Sequence, residues 1–339
     1  LIYYYCNEKF QLFVSGIVKK TALHKHLTLK TLIISSLFVI LLIFVQCGSP
    51  KAPVFDETPT RGDIRIVADE SFKPIVEAEI AVFTSLYQYA HITPAYVAEK
   101  DLIAEFLNDS VKLIVSAWEP TDQQKELLLA QQTIVRTTAV AYDAIAFVLN
   151  KENMDSLFTY ENINDLFTGK LTDWKDINSS SKLGKMVAVF DNDKSANIRY
   201  FKEEFKLPAQ LPANFFSVKS NEEVINYVTQ NKSAIGMISV NWICDKEDSV
   251  SRSFSDKIKI AAVSHQVLNP GSYFMPDQGS IYNKSYPFTR TINLVSRENF
   301  AGLATGFISW CTSAQGQRIV LKSGLVPSTM PIRLIQIKK

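Results

Sequence analysis

The segment DIRIVADESFKPIVEAEIAVFTSLY (63–87) sets the reading of this chain. Its first six residues form a short apolar-rich run that reads as a strand. A polar turn then leads into a helix opening near Pro74, a residue suited to a first helical turn. Val76, Ile80, Phe83 and Tyr87 follow at i, i+4, i+7 and i+11, one face of that helix. Strand, turn and amphipathic helix together are the building unit of an α/β protein.

The same alternation continues outward. KLIVS (112–116) is a short buried-type strand, and Thr121-x-x-Gln124 is a capping-box pattern that opens the next helix. TTAVAYDAIAFVLN (137–150) holds one or two extended segments. MVAVF (186–190) is a strand followed by a helix from about Ser195 to Phe205, and Ser220-x-x-Glu223 caps another. AIGMIS (234–239), KIKIAAV (257–263) and TINLVS (291–296) read as strands, the last leading into a C-terminal helical region. The alternation predicts an α/β fold with mainly parallel sheets.

The first 46 residues are of another kind. TLIISSLFVILLIFV (31–45) is a 15-residue run without charge, preceded by Lys19, Lys20, Lys25 and Lys30 and followed by Cys47-Gly48-Ser49-Pro50. A basic flank and an apolar core too short to span a bilayer describe an export signal. A Cys closing such a core resembles a bacterial lipoprotein signal, in which Cys47 is acylated, although Gln46 stands where a small residue is usual. An uncleaved anchor is the alternative. Residues 1–18, with Cys6, are unusual upstream of such a signal; they read as a start site placed too early or as a fragment, and no structural role is assigned to them. Residues 47–61, with three prolines, read as a tether.

Across all 339 residues, 47% hydrophobic and 21% charged side chains exclude wholesale disorder. The 36 basic and 34 acidic side chains give +2, which is no nucleic-acid signature. Residues 1–46 hold five lysines and one glutamate, so the remainder carries 31 basic and 33 acidic groups, a net charge of −2. Only 12 glycines are present, and four Cys with four His leave little for a metal site. Cys244 and Cys311 leave a disulfide open, but the apolar stretch around Cys311 points to a buried free thiol. His91 and His265 lie in mixed settings without nucleophile or metal spacing, so neither an enzyme nor a bound cofactor is expected.

Seven segments, in order, resemble the phosphate-binding proteins of bacterial ABC transporters. They are ADESFKP (68–74), VSAWEPTDQQ (115–124), AYDAIAFVLNKEN (141–153), NINDLFTGKLTDWKDIN (162–178), AIGMISVNWI (234–243), SYPFTRTINLVS (285–296) and FISWCTSAQGQRIVLKSGLVP (307–327). The fourth is the most specific, with Leu166-Phe167-x-Gly169-x-Leu171-x-x-Trp174 on the family's Leu-x-x-Ile-Phe-x-Gly-x-Ile-x-x-Trp. The resemblance implies a two-lobed, type II periplasmic-binding-protein fold in which the chain crosses twice between lobes, near Ala141 and Ala261. Lobe 1 would comprise 62–140 plus 262–330, and lobe 2 would comprise 141–261. Trp174 is expected to pack in lobe 2 and not to touch ligand.

The resemblance further implies a monomeric receptor in the cell envelope, anchored by lipid and facing the periplasm or exterior. It would bind phosphate or another small oxyanion for an ABC permease. Helix N-terminal amides and hydroxyls suit an oxyanion, and the family match places Ser71, Phe72 (through its N–H), Ser116, Ser195 and Asn197 on the ligand. The third loop departs from the family's Arg-x-x-Gly-Ser-Gly-Thr, reading Asp191-Asn192-Asp193-Lys194-Ser195-Ala196-Asn197. Arg199 or Lys194 is the expected substitute for the lost guanidinium, with a solvated surface residue as the other reading of Arg199. Glu119, Glu70 and Asp69 are candidate acceptors of a ligand proton, whereas Asp143 reads equally as structural. The rival reading is a sensor or interaction lipoprotein that keeps the fold with an altered ligand site.

Overall fold

The computed structural model describes residues 57–265, 267 and 271–331. The segment read as an export signal, Cys6, Cys47 and the segment read as a tether, up to Asp56, lie outside the described residues. The chain divides at Phe55/Asp56, and all the strands and helices named below belong to the unit Asp56–Lys339.

β1 (Arg61–Asp69) passes through a 3-10 turn (Glu70–Phe72) into α1 (Lys73–Leu86). β2 (Tyr89–Val97), α2 (Glu99–Leu107), β3 (Leu113–Ser116), α3 (Asp122–Ala130) and β4 (Arg136–Asn150) come next. Then come β5 (Leu157–Phe158), α4 (Tyr160–Thr168), β6 (Val187–Phe190), α5 (Ala196–Glu204), β7 (Phe215–Ser217), α6 (Asn221–Gln230) and β8 (Ala234–Ser239). After α7 (Ser249–Ser255) lie β9 (Ile258–Ile260), β10 (Ala262–Ser264), β11 (Tyr273–Phe274) and α8 (Gln278–Tyr282). The described chain closes with β12 (Thr289–Ser296), α9 (Leu303–Thr312), α10 (Ala314–Lys322) and β13 (Val326–Pro327).

The main sheet has the order β2-β1-β3-β12-β4-β8-β6-β7, with β9 and β13 also pairing β4. The segment 137–150 is thus one strand, and it serves two neighbourhoods. Residues 136–144 pair β12, and 145–150 pair β8 and β9. The expectation of mainly parallel sheets is corrected to a mixed sheet. β1 is parallel to β2 and β3, and β6 is parallel to β7 and β8, but β4 is antiparallel to β12, β13, β8 and β9. KIKIAAV is likewise not one strand. It breaks at Ala261, with β9 pairing β4 and β10 joining β5 and β11 in a separate small sheet.

The strands were legible because both of their faces are covered, which makes apolar runs continuous. On β1, Ile64, Ile66 and Ala68 enter the large core, while Val67 points the other way against Leu102, Phe106, Ile114 and Trp118. α1 buries Val76, Ile80 and Phe83, the stripe expected from sequence. β2 was not anticipated because Pro94 interrupts its pattern; the strand lies at the sheet edge, pairing β1 alone, where a missing N–H is tolerated.

Thr121 and Gln124 form the reciprocal capping box. Gly169 ends α4 in the left-handed conformation at φ 76°, which suits a residue without Cβ. Trp174 is fully buried and donates its indole N–H to the Ser233 carbonyl at 2.9 Å, a packing role. Cys244 and Cys311 are free thiols. Among the described residues no helix is long and apolar enough to cross a membrane.

Gly236 on β8 marks the tightest helix-on-sheet approach. A Cβ there would lie 2.6 Å from Val224 Cγ1, 2.8 Å from Val228 Cγ2 and 2.9 Å from Val148 Cγ2. Valine side chains between α6 and β4 have little room to yield, so Gly236→Ala is expected to destabilise the protein by about 1–3 kcal/mol in urea unfolding. A loss below about 0.5 kcal/mol would mean that α6 lifts freely from the sheet.

Candidate functional site

Three strand-to-helix turns supply the expected residues, each by a different local device. After β1, the Ser71 N–H donates to Asp69 Oδ1 at 2.8 Å, which closes the 3-10 turn and buries Ser71 and Phe72 completely. The Ser71 hydroxyl, by contrast, has no partner. After β3, Ser116 Oγ donates to Glu99 Oε1 at 2.8 Å and accepts from the Trp118 N–H at 3.0 Å. Its one proton is therefore committed to Glu99. After β6, Ser195 caps α5 by accepting from the Ile198 N–H at 3.3 Å, and Asn197 Nδ2 donates to Asp191 Oδ1 at 3.2 Å.

Arg199 does not face a vacant site. Its fork closes on Glu99, Nε to Oε2 at 2.5 Å and Nη2 to Oε1 at 3.1 Å, while Nη1 reaches Glu203 at 2.8 Å. Glu99 heads α2 and is 1% exposed, so it requires a counter-charge. Lys194 is similarly held by Asp101 at 2.7 Å. Both candidate substitutes for the missing loop arginine are thus engaged with carboxylates of α2.

A buried guanidinium near the first turn comes from an unexpected strand. Arg290 on β12 is the register partner of Asp143 on β4, and its Nε donates to Asp143 Oδ2 at 2.9 Å. Both side chains are buried, at 3% and 0% exposure. Asp143 also accepts from Ser239 Oγ on β8, which makes it structural as one of its two readings had it. The Arg290 guanidinium lies 4.7 Å over the Phe72 ring, and Nη1 and Nη2 have no partner. Sequence reasoning passed over Arg290, Glu99, Asn241 and Asn221. A signal existed for Arg290, a charge inside the alternating strand TRTINLVS, but its partner lies 147 residues away.

The same turns also carry unpartnered acceptors. Asp69 Oδ2, Asp191 Oδ2, Asn197 Oδ1 and Asn241 Oδ1 are buried and unpartnered, and Asn241 Nδ2 donates to the Ser71 carbonyl at 3.3 Å. Burial lifts the Asp69 carboxyl above the usual carboxylate range; Glu99 adds to the rise, Arg290 opposes it, and Asp191 adds again. Burial likewise raises Asp191 to about 6, against the pull of its Ser195 and Asn197 hydrogen bonds. Glu70 rises to about 7 through burial, although it accepts from the Asn221 backbone and side chain. Glu119 instead accepts from Asn293 Nδ2 at 3.1 Å, and Trp118 packs edge-on against Phe106. Among the described residues no group of three or more His, Cys, Asp or Glu is placed to hold a metal.

The structure thus holds a mixed α/β sheet, three strand-to-helix turns, a buried hydroxyl at Ser71 and two buried Arg290 nitrogens without partners. A family model described as a PBP superfamily domain matches residues 53–315, and the chain belongs to that superfamily. It is similar to the phosphate-binding protein PstS of Staphylococcus epidermidis, 22% identical over 241 residues, 70% of this chain and 74% of that protein. PstS of Borreliella burgdorferi is 22% identical over 274 residues, 78% of this chain and 89% of that protein. Among solved structures, a Clostridium perfringens protein with bound phosphate superposes at a TM-score of 0.66 and 24% identity, over 78% of this chain and 99% of that one. An ABC-type phosphate transport receptor from Vibrio cholerae gives 0.60 at 16% identity, over 78% and 100%.

The Glu99–Arg199 pair ties α2 to α5. Arg199→Ala would leave Glu99 buried without its counter-charge, at an expected cost of about 3 kcal/mol in urea unfolding at neutral pH. Adding Glu99→Gln to that variant should restore part of the loss, and a double variant no more stable than Arg199→Ala would deny that the buried charge is the cause.

Proposed function

We propose that this protein is an extracytoplasmic receptor that closes on an inorganic oxyanion, phosphate first, and presents it to an ABC permease without covalent chemistry. The observation that carries the reading is that the Ser71 hydroxyl and two nitrogens of Arg290, whose guanidinium lies 4.7 Å over the ring of the adjacent Phe72, are buried without hydrogen-bond partners. Such donors, fixed before the ligand arrives, are what a tetrahedral anion requires. Ser71, the Phe72 N–H, Ser195 and Arg290 would contact the anion; Ser116, Asn197 and Arg199 would position that first set through Glu99 and Asp191.

The similar proteins named for phosphate binding support this ligand. In this reading the lobes 62–140 plus 262–330 and 141–261 move about β4 and the Ala261 break, the protein acts as a monomer, and an acylated Cys47 tethers it to the envelope with the bulk of the chain facing the periplasm or exterior. A two-strand hinge that leaves the cores intact is a familiar way to close around a ligand.

Titration calorimetry with phosphate tests the reading. Wild type should bind, and Ser71→Ala should weaken binding by about tenfold, the loss of one charge-assisted hydrogen bond. No heat, together with no thermal shift at millimolar phosphate, would sink the receptor reading and leave the sensor alternative standing.

A further inference from the structure

Two of the side chains expected on the ligand are already engaged by an anion, and that anion belongs to the chain. Glu99 is the first residue of α2 and is 1% exposed. Its Oε1 accepts from the Ser116 hydroxyl at 2.8 Å and from Arg199 Nη2 at 3.1 Å, and its Oε2 accepts from Arg199 Nε at 2.5 Å. A hydroxyl and a two-pronged guanidinium at a helix start are the donor set that a bound oxyanion would use. Ala98, the residue before Glu99, offers no side-chain cap. The carboxylate therefore also supplies negative charge at the positive end of α2.

Glu99 joins parts of the chain that the receptor reading assigns to different lobes, α2 within 62–140 and α5 within 141–261. Two contacts run beside it. Lys194 Nζ reaches Asp101 at 2.7 Å, and the Lys100 N–H donates to the Lys194 carbonyl at 3.3 Å. The Asp101–Lys194 pair is about half exposed on both sides, as a simple surface tie is. Glu99 is instead withdrawn from water, at a cost that only full hydrogen bonding repays. After burial it is the next cause that lifts the Asp69 carboxyl, which places its charge close to the turn that carries Ser71.

We propose, resting on the receptor reading above, that Glu99 is a resident anion: its carboxylate takes the place of a ligand oxyanion between Ser116 and Arg199 and holds α2 to α5 before any ligand arrives. A diffusible anion is then left with Ser71 and Arg290, near a fixed negative charge. Glu99 thus sets the affinity of the site as well as closing it.

Chemical rescue of the full chain tests this. Glu99→Ala removes the carboxylate and leaves its donors, so formate should take the vacated place. In about 50 mM formate, against chloride of equal ionic strength, the variant should melt about 3–5 °C higher. Wild type should not shift, and Glu99→Ala combined with Arg199→Ala should not respond. No rise in Glu99→Ala, or an equal rise in the double variant, overturns the proposal and leaves Glu99 a structural tie. Should Glu99→Ala fail to fold in chloride, its recovery on refolding from urea in formate is the readout, and equal failure in both salts overturns the proposal too. Glu99→Gln keeps the shape without the charge and should bind phosphate about tenfold tighter than wild type in calorimetry. Equal or weaker binding overturns the claim that Glu99 sets the affinity. If neither protein binds phosphate, the phosphate reading falls, while the formate result still decides whether Glu99 is a resident anion.

Discussion

The buried pair between Asp143 and Arg290 is the constraint on which the rest depends. It sits where β4 leaves its pairing with β12 and takes up β8, so that one carboxylate is shared by three strands. Two charges withdrawn from water cost several kcal/mol unless hydrogen bonds satisfy them. Ser239 and Arg290 meet that need on the Asp143 side. The Arg290 side remains incomplete, because its two outer nitrogens have no partner and the guanidinium lies over the Phe72 ring. The structural cross-link and the proposed guanidinium donor to the anion are thus the same side chain.

Around it, polar contacts join the first stretch of the chain to the middle one. Glu99 meets Arg199, Asp101 meets Lys194, Glu70 meets Asn221, and the Ser71 carbonyl meets Asn241. Two of these contacts come from the loop and helix start at 191–199, where the sequence departs from the pattern it resembles. Lys194 and Arg199 are occupied in holding α2, and in the proposed reading the cationic role falls to Arg290 on β12.

The fold was legible where burial is two-sided or a helix carries one apolar stripe. β1, β3, β6 and β8 announced themselves as short apolar runs, and α1, α3, α5 and α6 by their stripes or caps. β2 escaped because Pro94 breaks its pattern. The split at Ala261 escaped because a continuous apolar run does not reveal that its two halves join different sheets. Strand direction escaped as well, since an apolar run reads the same whichever way its neighbour runs.

Sequence alone determined the α/β class, the turn hydroxyls at Ser71, Ser116 and Ser195, and the departure at Asp191, because these rest on local spacing and residue chemistry. Tertiary structure decided which of them remain available. Ser116 gives its proton to Glu99 17 positions away, and Arg199 closes on Glu99 across 100 residues. The guanidinium that keeps two nitrogens unpartnered is one that pairs across 147 residues. Hydrogen-bond partners at such separations are set by how strands meet, and no local pattern encodes that meeting.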